Sequence, residues 1–211
     1  MNPEEFATAA DVPRGTLERF RTYHALLVKW QRAINLVGPR TLDDAWQRHF
    51  LDSAQLWPLV AGCHALTDLG SGAGFPGLVL ALMAAGHDAP LETHLIEADQ
   101  RKAAFLIEVA GATGVRATVH AERAEAIGTA GLISADVVTA RALAPVDTLL
   151  GYAAPLLAPD GICLFLKGAA VEDELTRACE TWTMTAKRIP SRSDPSGTIL
   201  RIAGLKRLGR G

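Results

Sequence analysis

At 211 residues, 49% hydrophobic and 21% charged, the chain has the composition of one well-buried globular domain with a small extension, which excludes a disordered or fibrous protein. A formal net charge of −2 argues against binding nucleic acid with the whole surface, yet seven basic residues (Lys187, Arg188, Arg192, Arg201, Lys206, Arg207, Arg210) face a single acid, Asp194, from position 187 onward, which suits either a local basic face or a solubilising tail. No apolar run approaches the roughly 20 residues that span a bilayer, and the start Met1-Asn2-Pro3-Glu4-Glu5 is acidic where a secretory leader is basic, so a cytoplasmic chain with no membrane partner is expected.

In chain order, Leu17, Phe20, Leu27, Trp30, Ile34 and Val37 recur at spacings of three, four and seven, which predicts a helix over 14–37 ended by Gly38-Pro39. Thr41 ahead of Asp43, Asp44 and Ala45 predicts an N-cap with acids in the first turn, a second helix running to about Arg48, and a third around 53–57. From Ala65 onward short apolar runs alternate with helical patterns: strands near 65–69, 91–96, 117–120, 135–139 and 161–167, helices near 76–85, 99–113, 122–128, 145–157 and 171–180. Such alternation predicts parallel strands with crossover helices. The runs 181–188 and 198–203 have only the turn-rich 190–197 between them and should pair antiparallel. The expected architecture is α/β: a mostly parallel seven-stranded sheet with an antiparallel last strand. A helical N-terminal cap over 1–60, a core over 61–205 and a basic tail over 206–211 would form one compact unit.

The most informative stretch is Thr67-Asp68-Leu69-Gly70-Ser71-Gly72-Ala73-Gly74-Phe75-Pro76-Gly77, an apolar run feeding an acid and four glycines before the next apolar run. It reads as strand, tight turn, helix, a turn whose backbone a nucleotide-like cofactor approaches closely. Gly72-x-Gly74-x-x-Gly77 fits a dinucleotide fingerprint, while Asp68-x-Gly70-x-Gly72-x-Gly74 fits the S-adenosylmethionine loop of Rossmann-like methyltransferases. Glu97, ending the second strand, suits the ribose hydroxyls of either ligand. Asp68 favours the methyl donor, because a carboxylate in the turn crowds a pyrophosphate but can face a cationic amino-acid end. Ala124 and Glu125 follow the third strand, where this fold meets the adenine. Arg141 and Lys167 end the fourth and fifth strands, where parallel sheets place ligands.

Absences narrow the acceptor. The segment Ala140-Arg141-Ala142-Leu143 lacks the Asn/Asp-Pro-Pro-aromatic loop of enzymes that methylate exocyclic amines. Cys63, Cys163 and Cys179 sit outside any loop suited to a nucleophile, and with neither C-x-x-C nor metal-ligand spacing they read as reduced thiols, so no metal is expected. Guanine N7 has an in-plane lone pair and loses no proton on attack, so cations without a general base suit it, as they suit some small-molecule acceptors.

Trp30-Gln31-Arg32-Ala33-Ile34-Asn35-Leu36-Val37, Arg48-His49-Phe50-Leu51-Asp52-Ser53, the Asp68–Gly77 loop, Arg123-Ala124-Glu125, Arg141-Ala142 and Lys167-Gly168 together resemble the bacterial 16S rRNA guanine-N7 methyltransferase family, also called glucose-inhibited division protein B. The resemblance implies a Rossmann-like class I methyltransferase that uses S-adenosylmethionine to methylate N7 of one guanosine in 16S rRNA of the small ribosomal subunit, acting as a monomer. It sets Gly70 and Phe75, within the loop of Gly72 and Gly74, against the methionine and adenosine, Glu97 on the ribose, and Ala124 and Glu125 near the adenine. Arg141 stands beside the acceptor pocket, with Asn35, His49 and Asp52 lining its mouth from the cap. Gln31, Val37 and Glu97 depart mildly from the family's usual Asn, Thr and Asp. A small-molecule methyltransferase and an NAD-dependent dehydrogenase are the alternatives.

Overall fold

A computed structural model describes residues 1–131 and 133–209; Arg210 of the basic stretch lies outside them. The chain opens with a helix that apolar periodicity does not announce, α1 (Pro3–Ala9). Polar capping makes it: Asn2 Oδ1 accepts from the Glu5 amide at 2.8 Å, Glu5 Oε2 accepts from the Asn2 amide at 2.9 Å, and Pro3 fills the first turn. Helix α2 (Thr16–Gln31) stops six residues short of the predicted end at 37. Gln31 ends it, its Oε1 accepting from the amides of Leu36 and Val37 at 3.0 Å and its Nε2 donating to the Val37 carbonyl at 2.9 Å, so Ile34 and Val37 are buried from a loop.

The predicted second and third helices give way to a 3-10 turn (Pro39–Thr41), a π-helical turn (Trp46–Leu51), α3 (Asp52–Ala54) and α4 (Trp57–Val60). Thr41 caps no helix; its hydroxyl donates to the Gly38 carbonyl at 2.7 Å. The wide turn buries Trp46, His49, Phe50 and Leu51 together, a departure from α geometry that recurs at functional sites.

Seven strands follow: β1 (Ala65–Leu69), β2 (Glu92–Ile96), β3 (Thr118–His120), β4 (Ala135–Arg141), β5 (Leu157–Lys167), β6 (Trp182–Pro190) and β7 (Thr198–Arg207). Between them lie α5 (Gly77–Gly86), α6 (Gln100–Thr113), α7 (Ala124–Ala130), α8 (Val146–Ala153) and α9 (Val171–Ala178). The sheet order is β3-β2-β1-β4-β5-β7-β6, with β7 antiparallel to both β5 and β6 and the other pairs parallel. The antiparallel last strand is therefore inserted between its two neighbours. Lys206 and Arg207, expected in a tail beyond 205, belong to β7.

One face of the sheet packs against α5, α6 and the N-terminal helices, the other against α7, α8 and α9. Phe6, Phe20, Tyr23 and Phe50 from the N-terminal segment share a core with Phe75 and Phe105, so the segment expected as a cap is built into the floor beneath the glycine turn. Removing one such ring costs about 3–5 kcal/mol, which ties the integrity of the turn to that of the N-terminal helices. Among the described residues no helix is long and apolar enough to cross a membrane.

Candidate active site

Strand β1 delivers the glycine turn to the carboxyl edge of the sheet, where residues from several strands converge. Asp68 has no exposed surface: its Oδ1 accepts from Thr139 Oγ1 at 2.7 Å and its Oδ2 from the Gly77 amide at 3.1 Å, clamping β1 to β4 and to the start of α5. Burial pushes its pKa up to about 6, against the pull of those hydrogen bonds. The residue thus braces the turn from within. Gly72 and Gly74 both have left-handed φ, +56° and +88°, but they serve different ends. A Cβ on Gly72 would meet nothing nearer than the Gly70 carbonyl at 3.7 Å, whereas one on Gly74 would strike the Tyr23 hydroxyl and Leu78. Gly72 leaves room beside the turn and Gly74 lets α2 pack beneath it.

Glu97 directly follows β2, its Oε2 accepting from the Gly72 amide and its Oε1 from the Asp99 amide, both at 2.8 Å. Together with Gly70, Gly72, Ala124, Glu125, Leu143 and Tyr152 it lines a cavity of about 300 Å³. A second cavity, of about 530 Å³, is walled by His49, Asp52, Lys167, Ser191, Ser193 and Thr198 among others. Arg141 and Ala142 line both cavities and are where the two meet.

Arg141 is anchored through one end of its guanidinium and through the ring beneath it. Its Nη1 donates to His49 Nδ1 at 2.9 Å and to the Arg48 carbonyl at 3.2 Å, stands 3.6 Å from Asp52 Oδ2, and the guanidinium lies 5.1 Å over the Phe75 ring. His49 stacks on the same ring at 5.1 Å and contacts Thr41 Oγ1 through Nε2 at 2.8 Å. Since the Thr41 hydroxyl donates to Gly38, it accepts from His49 Nε2–H, which leaves Nδ1 as the lone pair that takes the guanidinium. Burial, with Arg141 and Arg48 nearby, pulls the His49 pKa down to about 3, so the ring is neutral at neutral pH. Asp52 moves the other way, burial raising its pKa against hydrogen bonds from Ser193 and Arg141. Ala142, with φ +52°, turns the chain sharply after Arg141 at a cost of roughly 1–3 kcal/mol, the kind of strain that clusters at functional sites.

His49, Asp52 and Arg141, distant in sequence, form one contact network, and Lys167 lines the same cavity. Lys167 is already occupied: it pairs with Glu174 Oε2 at 2.6 Å and donates to the Ala144 carbonyl at 3.0 Å, which pins the turn after Arg141. Phe75 is buried under Arg141 and His49 and supports them from below. Asn35 is exposed and lines neither cavity. Residue patterns missed the loop between β6 and β7. There Ser193 Oγ donates to Asp52 Oδ1, Gln55 Nε2 donates to Asp52 Oδ1 at 3.0 Å, and Gln55 Oε1 accepts from the Arg192 amide at 2.7 Å. Its serines resemble any surface turn in sequence; only their pairing with Gln55 and Asp52 marks them.

A sheet in this order, with a glycine turn after β1 and an acid ending β2, defines a class I methyltransferase fold. Solved structures share it: an O-methyltransferase from Bacillus cereus in complex with SAH (TM-score 0.60, 14% identity, 86% of this chain and 90% of that one) and a methyltransferase from Geobacter sulfurreducens (TM-score 0.56, 14% identity, 85% and 86%). The family described as rRNA small subunit methyltransferase G matches residues 16–196. Proteins named ribosomal RNA small subunit methyltransferase G from Paramagnetospirillum magneticum and Rhodospirillum rubrum are 55% and 53% identical over 208 residues, covering 98% of this chain and 98% and 100% of theirs. The chain belongs to this family and is a methyltransferase.

Proposed function

We propose that the chain transfers the methyl group of S-adenosylmethionine to N7 of a guanosine in 16S rRNA. The observation that carries this reading is the meeting of two cavities at Arg141 and Ala142, one beside the glycine turn and Glu97, the other open to an acceptor. The residues present suit the donor: Glu97 offers a carboxylate at the end of β2, and Gly70, Gly72, Ala98 and Ala124 leave the wall low. Bound there, S-adenosylmethionine supplies an electrophilic methyl group on a positively charged sulfur.

The chain's own groups are set to position an acceptor. Neutral His49 has its lone pair engaged by Arg141, Asp52 is tied to Ser193 and Gln55, and Lys167 is paired with Glu174. His49, the side chain placed as a base would be, is thereby unavailable to take up a proton at neutral pH, which fits an acceptor atom that loses none. Arg141, permanently charged and held by three partners, is suited to orient a guanine through O6 or a flanking phosphate. The same reading has a monomer working in the cytoplasm on rRNA or the small subunit. Large exposed apolar residues among those described are few, Met1, Ile107, Leu143 and Leu208, as in a surface without an obligate partner.

Methyl transfer from labelled donor to small-subunit rRNA, followed by nuclease digestion, tests the proposal. Label in N7-methylguanosine is expected. Label in another nucleoside, or only in small molecules from a cell extract, would overturn it.

A further inference from the structure

Strand alternation sorts the β6–β7 ribbon into two faces of opposite character. Trp182, Met184, Ala186, Leu200, Ile202 and Leu205 turn inward to the core under α8 and α9. The basic residues on that side have partners: Arg188 pairs with Glu172 on α9 at 2.5 Å, and Arg207 lies 5.7 Å over the Trp182 ring. The other face carries Thr183, Thr185 and Lys187 from β6 and Arg201, Ala203 and Lys206 from β7, with no carboxylate from either strand. Lys187 and Arg201 are direct cross-strand partners, as are Thr183 and Lys206. None of the three cations takes part in an ion pair among the described residues.

Like charges placed directly opposite on a sheet are destabilising, so the fold carries this arrangement at some expense. The ribbon also begins at the acceptor cavity, whose wall includes Ser191, Ser193, Gly197 and Thr198. At about 3.4 Å per residue, Arg201 is about 10 Å along β7 from Thr198 and Lys206 about 27 Å. Unpaired cations with two threonine hydroxyls, leading away from the cavity, provide the positive, hydrogen-bonding track that a polynucleotide backbone flanking the acceptor would follow.

We propose that the face of the β6–β7 ribbon bearing Lys187, Arg201 and Lys206 is the docking surface for the phosphate backbone of the rRNA flanking the acceptor nucleotide. This rests on the rRNA reading above and extends it to a defined surface. Phosphate contacts there add affinity and orientation without reading sequence.

The test replaces the three residues together (Lys187→Gln, Arg201→Gln, Lys206→Gln) in the full chain, because truncating the end would remove paired backbone of β7. Removing one cation from the phosphate backbone lowers the slope of log affinity against log salt by about 0.7, so the triple variant should bind small-subunit rRNA with a slope smaller by about 2. KM for rRNA should rise about tenfold at moderate salt while kcat and S-adenosylhomocysteine affinity stay at wild-type values. Thermal stability should hold or rise slightly, since the cross-strand repulsion is gone, and Lys187→Arg with Lys206→Arg should bind like wild type. An unchanged salt slope in the folded triple variant overturns the docking surface. So does loss of binding to anionic phosphatidylserine vesicles with rRNA binding intact, which would make the face a membrane contact. If the wild-type chain binds rRNA but methylates no guanine N7, the reaction reading fails while the slope comparison still decides the surface.

Discussion

Arg141→Ala removes the group on which the two cavities converge, and its consequences can be worked from the surrounding geometry. Two hydrogen bonds from a charged donor, to His49 at 2.9 Å and Arg48 at 3.2 Å, disappear together with the cation over Phe75 at 5.1 Å. Such hydrogen bonds contribute about 1.5–3 kcal/mol each and the ring contact about 0.5–1 kcal/mol. The side chains of Arg141 and Asp52 keep 20% and 16% of their surface, so water replaces part of what is removed, and a net destabilisation of about 2–4 kcal/mol is expected. For a chain of this size that is a fall of about 5–12 °C in Tm, which leaves the protein folded. Positioning carries the larger effect: in single turnover with labelled donor and small-subunit rRNA, kcat should drop by about 10² or more, close to 3 kcal/mol of transition-state stabilisation. S-adenosylhomocysteine affinity by calorimetry should fall less. Arg141→Lys keeps the charge but not the planar fork that serves several acceptors at once, and should recover at most about tenfold. A folded Arg141→Ala protein working within threefold of wild type would refute the positioning argument.

The two glycines of the turn should separate. Gly72→Val, strained by its left-handed φ but striking no neighbour, loses about 1–3 kcal/mol and donor binding yet stays folded, whereas Gly74→Val, equally strained and driven into Tyr23 and Leu78, loses the fold; matched effects in both assays would refute the division. Because the His49 pKa is about 3 with its lone pair engaged, the single-turnover rate should be flat from about pH 7 to 8.5, and a midpoint near 7 that vanishes in His49→Ala would make His49 a base. Asp68 has its folded pKa raised to about 6 from 3.8, so the stability it contributes is full below about pH 4 and is lost as pH rises through 6. Relative to wild type, Asp68→Asn should gain about 2 kcal/mol between pH 4 and pH 7 in urea unfolding. A pH-independent difference would show that the carboxylate is ionised without penalty.

Much of this protein could be read locally. The run 65–69 is β1 residue for residue, and the strand and helix alternation after it holds through α9, because a strand or an amphipathic helix is specified by the apolar period of its own short segment. The glycine turn and the acid closing β2 were equally visible, since their spacing is itself the signal. Where the local pattern failed, side chains reaching back to the backbone prevailed: Gln31 ended α2 early, and Asn2 with Glu5 started a helix that no apolar stripe marks.

What the chain determined by itself is the set of elements, the turn that meets the cofactor and the membership in a methyltransferase family. The tertiary structure decided which of the candidate residues work together. His49 and Asp52 lie about ninety positions from Arg141, and no short-range pattern could say that a π-helical turn would aim them at the end of β4. Nor could it say that β7 would slip between β5 and β6, carrying the loop that holds Asp52 against the site. Asp68 and Phe75 have the residue types of ligand contacts, yet packing turned the first into a brace and the second into a support beneath Arg141, while Asn35 was left in solvent. A period or a spacing belongs to a few consecutive residues, whereas burial and contact between distant ones are set by how whole layers pack, and those constraints exist only in the assembled fold.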